Sequence, residues 1–222
     1  MEKHRGKIAI REVTIGDMVQ AVDRRTGQVK WSEVWFNAHE DPHAQVDFFI
    51  KLSMEGGAQL TLTDGHYVHV IKADASANAF NHSDAFSAAK IIMAEAVEVN
   101  DIAWVVGQTG DILPHRVRSV EYVNGTGLWA PLTRDGTIVV DSVVASTYAR
   151  WFAEEWSLLR VFGIQAASLY DAMMVLPQLL HSLKGAERFS QIAKELNFEA
   201  RIRDSPLGFL NMWPMALQAM TM

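Results

Sequence analysis

Cysteine is absent from all 222 residues of this sequence. Its absence excludes disulfides, zinc sites with thiolate ligands and a thiol nucleophile supplied by these residues. Long apolar runs are also missing, because Arg160, Asp171, Pro177 and His181 interrupt the most apolar stretch, residues 158–183. That stretch is therefore a poor candidate for a membrane span. Charges are spread over residues 1–15, so no secretory leader is predicted there.

Concentrated positive charge is another feature that the sequence lacks. The net charge is −6, and the 20 Lys and Arg residues are scattered along the chain. Nucleic-acid binding needs clustered positive charge, so no nucleic-acid partner is expected, and no cofactor is expected either. Hydrophobic residues make up 49% of the chain and charged residues 21%, which predicts a packed core. The length suits one β domain with a small helical annex.

Short β-strands are predicted over most of residues 7–148. β-Branched and alternating segments separated by Gly, Asn and Asp turns are typical of a compact, mainly β fold. The predicted strands are Lys7–Val13, Met18–Val22, Gln45–Leu52, Ala58–Val70, Asp101–Val106, His115–Val123 and Gly136–Ser146. Residues 73–89 are rich in Ala, Ser, Asn and Asp, which predicts a surface loop with a helical turn near Phe86.

One sequence pattern occurs twice. Val13 to Gly27 and Val97 to Gly110 each have a valine, a turn that contains aspartate, a strand and a Thr-Gly turn, and the first copy is one residue longer. Such self-similarity predicts two related β subunits packed as a pseudo-symmetric pair. A common strand-turn-strand pattern without this relation is the alternative.

The spacing of apolar residues changes near residue 150 from a strand-like to a helical pattern. Apolar residues follow helical spacing from Ala149 to Leu183, and a second, more polar helix is predicted over Gly185–Arg203. Pro177 is expected to kink the first of these helices. The predicted organisation is therefore a β domain, residues 1–149, followed by a helical region, residues 150–222.

The segment from Thr63 to His66 is the first candidate for chemistry. Asp64-Gly65 between two apolar strands predicts a tight hairpin, in which Thr63 and His66 form a cross-strand pair. A hydroxyl and an imidazole held side by side can bind and protonate a peptide bond. A purely structural pair is the alternative.

Metal binding by histidine is the next possibility that the sequence raises. The available imidazoles are those of His39, His43, His66 and His69. Pro42 disfavours a helical pairing of the first two, and the last two are three residues apart on a predicted strand and so face opposite sides. No metal site is expected.

Several motifs together resemble the Hedgehog-type Hint domain, the fold that Hedgehog autoprocessing domains share with inteins. The motifs occur in that family's order, and the final block is the most specific: residues 16–19 (GDMV), 31–34 (WSEV), 56–57 (GG), 63–66 (TDGH), 130–133 (APLT) and the following stretch to Tyr148. The resemblance covers roughly residues 7–149. It implies an all-β horseshoe of two pseudo-symmetric halves, which agrees with the repeated pattern, and a helical C-terminal annex.

The resemblance also implies a reaction. In the family, a cysteine at the first position of the domain attacks the preceding glycine carbonyl and forms a thioester, which a sterol hydroxyl then cleaves. By resemblance, His66 protonates the leaving amide nitrogen, Thr63 holds the peptide, and His39 or Asp41 takes the place of the carboxylate that activates the acceptor. The substrate would be the protein's own upstream polypeptide, and the family location is the secretory pathway or a membrane.

Three departures from the family pattern affect this interpretation. The cysteine is expected about one strand and a turn before Met1, the acceptor-activating aspartate aligns with His39, and the family's Ser-Cys-Tyr is Ser146-Thr147-Tyr148. The terminal asparagine of inteins is absent as well, so splicing is not expected. The alternative function is a non-enzymatic Hint remnant that binds a protein or a lipid. In the C-terminal region, Trp151, Phe152, Trp156, Phe162 and the methionines either pack on the β domain or contact sterol, lipid or a membrane surface.

Overall fold

The computed structural model describes residues 1–73, 86–150 and 166–197. The chain separates into two compact units, Met1–Ala149 and Arg150–Met222. The strands of the first unit are β1 (Met18–Val22), β2 (Val29–Met54), β3 (Gln59–Thr63), β4 (His66–Val70), β5 (Lys90–Met93), β6 (Ile102–Val106), β7 (Ile112–Thr133), β8 (Thr137–Val140) and β9 (Val143–Ala149). The helices of the second unit are α1 (Ala166–Lys184) and α2 (Ala186–Glu195).

The strands form one antiparallel sheet in the order β1-β2-β7-β6-β9-β4-β5, with β3 on β2 and β8 on β9. The two longest strands, β2 and β7, pair with each other from Val34–Thr133 to Met54–Val117. The sheet curls into a half-barrel. This architecture confirms the prediction of a mainly β fold with a helical C-terminal region.

The sequence repeat corresponds to a structural repeat. A 3₁₀ turn precedes each copy, at Ile10–Glu12 and at Ala94–Ala96, and each copy then enters a five-residue strand, β1 or β6. The backbone hydrogen bonds match in three pairs. Val13 N donates to Ile10 O (3.2 Å) as Val97 N does to Ala94 O (3.1 Å), and Asp17 N donates to Thr14 O (3.1 Å) as Asp101 N does to Glu98 O (3.1 Å). Val34 N donates to Asp17 O (2.8 Å) as Val117 N does to Asp101 O (2.8 Å). The two halves are therefore built on the same turn geometry.

One apolar cluster contains residues from both halves. Ile50, Leu52 and Val68 of the first half and Ala103 and Val143 of the second are fully buried in one cluster. Because alternate residues of a strand point to one face, each half contributes one side of its strands to this core. Burial of such side chains, at about 1.5–3 kcal/mol each, is the main stabilising contribution to the fold.

The first predicted strand, Lys7–Val13, is wrong. Ile10–Glu12 is a 3₁₀ turn, and Ala9 N donates to the Glu12 Oε2 carboxylate oxygen at 2.9 Å. The side chain of Glu12 thus satisfies a backbone N–H that a strand would have offered to a neighbour. The first part of β2 and all of β5 were not predicted as strands. The loop predicted over residues 73–89 lies mostly outside the described residues, although Phe86 and Ser87 are helical.

The helical unit is described from Ala166 to Asn197. In α1, Tyr170, Met174 and Leu180 are buried, and the ring of His181 lies edge-on to Phe189 of α2 at 5.7 Å. Pro177 lies inside α1 and does not end it. Residues 151–165 and 198–222, which include the aromatic residues Trp151 to Phe162 and the C-terminal methionines, lie outside the described residues. Of the helices in the described ranges, none combines the length and apolarity that a membrane crossing requires.

Candidate functional site

The Thr63–His66 segment forms a corner of the sheet, so the predicted hairpin is wrong. Thr63 ends β3, which pairs with β2, whereas His66 begins β4, which pairs with β5 and β9. A two-residue hairpin of type I′ needs positive φ at both central residues, and neither Asp64 nor Gly65 has it. Gly65 N donates to Asp64 Oδ1 at 2.8 Å, and Glu95 N donates to Asp64 O at 3.1 Å. The corner places Thr63 and His66 on either side of a turn between two parts of the sheet.

His66 is held by the last strand of the domain. Its Nε2 lies 2.9 Å from the carbonyl oxygen of Ser146 in β9. A carbonyl can only accept a hydrogen bond, so Nε2 carries the proton and donates it, and in the neutral ring Nδ1 carries the lone pair. Burial lowers the pKa of His66 below its ordinary value, more than the Ser146 carbonyl raises it. The imidazole is therefore neutral at neutral pH and offers a fixed basic nitrogen.

His39 is electrostatically coupled to His66. Repulsion from His39 is a further cause of the lowered pKa of His66. His39 lies in β2 where the pairing with β7 shifts, because both Ala38 and His39 fall between the pairs Asn37–Pro131 and Glu40–Trp129. An extra residue of this kind is a β-bulge, which redirects a side chain and is common beside active sites. The bulge therefore lies at His39, and the charge of this residue is the smallest of the causes that shift the pKa of His66.

Asp41 is engaged in a turn of its own. Its Oδ1 accepts hydrogen bonds from His43 N at 2.9 Å and Ala44 N at 3.1 Å, and the residue is exposed. These bonds hold the carboxylate over the irregular part of the β2–β7 pairing between Asp41 and Gln45, as is typical of an aspartate in a turn. The Asp41 carboxylate is therefore engaged with its own turn.

β9 contributes main-chain groups that the sequence could not indicate. Ser146 presents its carbonyl to His66, and its hydroxyl donates to Gly136 O at 3.3 Å. The next residue, Thr147, is buried, and its Oγ1 has no hydrogen-bond partner among the described residues. A backbone carbonyl has no side-chain signature, so sequence reasoning identified the Ser146–Tyr148 block but not the atom of it that orients His66.

The other histidines lie elsewhere. His69, also on β4, is 2% exposed, stacks at 5.2 Å on the ring of Phe86 and has no hydrogen-bond partner for either ring nitrogen among the described residues. His43 is exposed in the same irregular part of the β2–β7 pairing. Within residues 1–73, 86–150 and 166–197, no three His, Asp or Glu side chains are grouped so that they could hold a metal ion.

Comparison with known proteins assigns the family. The Hint module family model matches residues 2–198. The chain belongs to the Hint family. Protein hedgehog of Drosophila hydei is 38% identical over 141 residues, which cover 64% of this chain and 27% of that protein. Protein hedgehog of Drosophila melanogaster is 33% identical over 171 residues, covering 77% and 34% respectively, so the chain spans about a third or less of these curated relatives.

Solved inteins share the fold of this Hint domain. A DnaB intein from Synechocystis superposes with a TM-score of 0.50 at 11% identity, covering 66% of this chain and 89% of the intein. A variant of the Ssp DnaB mini-intein gives 0.51 at 10% identity, covering 66% and 85%. Together with the Hedgehog relatives, this likeness confirms a Hedgehog-type Hint domain and the predicted horseshoe of two related halves.

Proposed function

We propose that this Hint domain cleaves the polypeptide upstream of it by an acyl shift and passes the acyl group to water or to a hydroxyl compound such as a sterol. Membership of the autoprocessing family supports the coarse assignment. The observation that carries the proposal is the fixed, neutral imidazole of His66 at the corner that Thr63 shares. Residues 1–222 contain no cysteine, so the nucleophile would come from a segment that precedes them.

The proposed chemistry needs one proton to move between two atoms. As the thiol sulfur attacks the carbonyl carbon, a C–S bond forms, the C–N bond breaks and the amide nitrogen leaves as an amine. Nδ1 of His66 is unprotonated, so it accepts the thiol proton and returns it to the leaving nitrogen. The hydrogen bond from Nε2 to Ser146 keeps the ring in the tautomer that this transfer requires. Thr63, just before the corner, would hold the scissile peptide.

The second step needs a base for the acceptor hydroxyl. His39 is our choice over Asp41, because it sits at the β-bulge and is electrostatically coupled to His66, whereas Asp41 is bonded to its own turn. A neutral imidazole can remove a proton from water or an alcohol as that oxygen attacks the thioester carbon. A C–O bond forms, the C–S bond breaks, and the sulfur takes up the proton and leaves as the free thiol. Water or a small alcohol would then be sufficient acceptors.

A fusion that supplies the nucleophile tests the proposal. A reporter domain ending in Gly-Cys would be joined to residue 1 through a spacer of about six residues, roughly one strand in length. Dithiothreitol attacks thioesters, so it should release the reporter from the intact fusion. We expect His66→Ala to slow this release by about 10²–10⁴-fold, the usual contribution of general acid–base catalysis.

The matched control is His43→Ala, which removes an exposed imidazole from β2, the strand that carries His39. It should release the reporter at the parent rate. The proposal fails if His66→Ala and His43→Ala behave alike, or if the fusion releases no reporter with spacers of four, six, eight and ten residues. Hydrolysis without added thiol should be slowed by His39→Ala more than the thiol-induced release is.

A binding role is the second candidate function. The absence of a cysteine favours a Hint scaffold that survives as a protein- or lipid-binding domain. In α1, Val175, Leu179 and Leu183 form an exposed apolar stripe at four-residue spacing, which suits a lipid surface or a hydrophobic partner. Flotation of the whole chain with liposomes, compared with a Leu179→Glu/Leu183→Glu variant, tests this role. Equal flotation of the two, or none by either, would exclude the stripe as a lipid contact.

A further inference from the structure

β9 is irregular opposite β4, at the residues that hold His66. His66 pairs with Ala149, and the residue two positions further along β4 pairs with Ala145. The three residues of β9 between these partners, 146–148, therefore lie opposite one residue of β4. A bulge of this kind interrupts the ladder, bends the strand and is over-represented beside active sites. The carbonyl of Ser146 that accepts from His66 belongs to this bulge.

Thr147, in the middle of the bulge, lies on the same face of the sheet as His66. On β4, His66 precedes Val68 by two residues. On β9, Thr147 follows Ala145 by two residues, and the hydrogen bond from Thr147 N to Gly136 O at 3.0 Å continues the β8–β9 ladder to this position. Val68 and Ala145 are paired, and both lie in the apolar cluster that the two halves share. Because alternate residues of a strand share a face, the Thr147 and His66 side chains project from one face.

The hydroxyl of Thr147 differs from that of its neighbour. Ser146 Oγ donates to Gly136 O at 3.3 Å and accepts from Tyr148 N at 3.0 Å. Thr147 is 3% exposed, and its Oγ1 has no hydrogen-bond partner in the part of the chain that the structure describes. A buried hydroxyl without a partner has lost the hydrogen bonds that water would give it, and such groups are rare in native proteins. A substrate group that binds at the bulge would supply the missing partner.

The N-terminal residues direct a preceding segment towards the bulge. Met1 O accepts from Gln20 N of β1 at 2.9 Å, and the next residue forms an antiparallel bridge with the same strand. A segment that continued this course would run along β1 towards Val22, whose N–H donates to Thr137 Oγ1 at 2.9 Å. Thr137 is the partner of Ser146 in the β8–β9 ladder. The upstream polypeptide that the proposed function requires would therefore reach the bulge within the length of a short strand.

We propose that Thr147 is a further catalytic residue, whose hydroxyl donates a hydrogen bond to the oxygen of the scissile carbonyl. This role rests on the autoprocessing function proposed above. As the thiol sulfur attacks, the C=O π electrons move to the oxygen, and a donor held in a buried site stabilises the charge where it develops. When the C–N bond breaks, the carbonyl forms again as the thioester. Thr147 keeps its proton throughout, because the thiol proton passes to the amine through Nδ1 of His66.

The Gly-Cys fusion measures this role. Thr147→Val keeps the shape of the side chain and removes the hydroxyl, so we expect dithiothreitol-induced release to slow by about 10²–10³-fold, the usual effect of losing one oxyanion donor. Thr147→Ser should recover most of the rate, because it restores the hydroxyl. The matched control is Thr61→Val, the same change at an exposed position of β3, which should release the reporter at the parent rate.

The fusion also separates this role from the proposed function. If His66→Ala slows the release and Thr147→Val does not, the role of Thr147 is overturned while the proposed function stands. If His66→Ala has no effect, or if the fusion releases no reporter, the proposed function fails and the role of Thr147 fails with it.

The stability of Thr147→Val distinguishes catalysis from structure. The variant loses an unsatisfied buried hydroxyl, so its midpoint of unfolding in urea should equal or exceed that of the parent. Slower release with such a midpoint supports the catalytic role. Slower release with a lower midpoint would assign the hydroxyl to the fold and overturn it.

A measurement on the parent chain keeps the role testable if Thr147→Val does not fold. A fusion with Gly-Ala in place of Gly-Cys cannot react, and its scissile glycine would carry ¹³C at the carbonyl. Because a donated hydrogen bond deshields a carbonyl carbon, we expect this resonance to lie downfield of its position in the urea-unfolded fusion. A resonance at the unfolded position would overturn the proposal.

Discussion

The two halves of the Hint domain share the turn that leads into β1 or β6, but they differ in the turn that leads into β4 or β9. Each half passes from a 3₁₀ turn through an aspartate into a short strand with matching hydrogen bonds. After the long strands they differ, because Asp141 and Ser142, with φ of 47° and 71°, close β8 and β9 into a hairpin, whereas Asp64 and Gly65 have no positive φ. One turn folds the chain back, and the other sends it to a different part of the sheet.

This difference creates the candidate site. If Asp64-Gly65 closed a hairpin, β4 would lie beside β3. As a corner, it instead carries His66 to β9, where the Ser146 carbonyl fixes its tautomer. The second half has the closed turn, so β8 lies directly beside β9. Two copies of one framework thus differ, through the backbone conformation of two residues each, in that one has the corner that carries His66 and the other a closed hairpin.

The largest expected effect concerns the duplicated aspartates. Asp101 is 0% exposed and accepts from Lys72 Nζ at 2.9 Å, Glu98 N at 2.8 Å and Ala73 N at 3.0 Å. Its counterpart Asp17, 17% exposed, accepts from Thr14 N at 2.8 Å and pairs with Arg5. We expect Asp101→Ala to lower the free energy of unfolding by about 3 kcal/mol, because it removes a fully buried carboxylate that accepts three hydrogen bonds and leaves Lys72 with only the exposed carboxylate of Glu98 as an ionic partner.

Asp17→Ala is the matched comparison and should cost about 1 kcal/mol, the usual cost of losing a capping carboxylate and an exposed ion pair. Urea unfolding followed by circular dichroism measures both variants. Equal losses would show that the two turns are equivalent in energy as well as in geometry. Such a result would contradict the view that the second turn is the more deeply anchored.

Sequence patterns predicted the parts of the fold that depend on local chemistry. Turn residues and alternation predicted the repeat, β1 and β6. The same two patterns predicted Gln45–Leu52 within β2 and His115–Val123 within β7, and all of these segments are found in the structure. The strand predicted at Lys7–Val13 failed because the Glu12 side chain captures a backbone N–H. The beginning of β2 was missed because its partners, β1 and β7, are set by tertiary pairing and not by its own alternation.

The sequence likewise predicted some features of the candidate site and not others. Thr63 and His66 carry a recognisable motif, and His39 follows from its distance to neighbouring motifs. The corner geometry was mispredicted, because Asp-Gly favours a type I′ hairpin whereas the pairing of β4 with β9 requires another conformation. The Ser146 carbonyl is a main-chain group, whose position no residue type records.

A second prediction concerns His69, which lies in β4, outside both copies of the repeated pattern. Burial, with a smaller contribution from Arg24, lowers the pKa of His69 to about 3. In the unfolded chain the imidazole titrates near 6.5. The unfolded state therefore binds the extra proton between these values, so the stabilising contribution is complete above pH 6.5 and is lost as the pH falls towards 3.

His69→Phe removes this titration and keeps an aromatic ring against Phe86. From pH 6.5 to 4.5 we expect the parent protein to lose about 1.4 kcal/mol more per pH unit than the variant. Unfolding in urea at several pH values measures the slopes, with His43→Phe, an exposed change, as the control that should retain the parent slope. Parallel slopes for the parent protein and His69→Phe would show that His69 is not held neutral.

The smallest effect tests whether the repeated turns are interchangeable. Gly16 has φ of 95° and its counterpart Asn100 has φ of 75°, so one position uses glycine and the other asparagine for a left-handed backbone. A Cβ at Gly16 would meet nothing within 4 Å, so a substitution there changes only backbone energy. We expect Gly16→Ala to cost about 1 kcal/mol, and Gly16→Asn to cost less, because asparagine tolerates this region better than alanine. Thermal unfolding resolves the order of the two variants. If Gly16→Asn proved the more damaging, the first turn would differ from the second in more than its residue, and the equivalence inferred from the matched hydrogen bonds would not extend to energy.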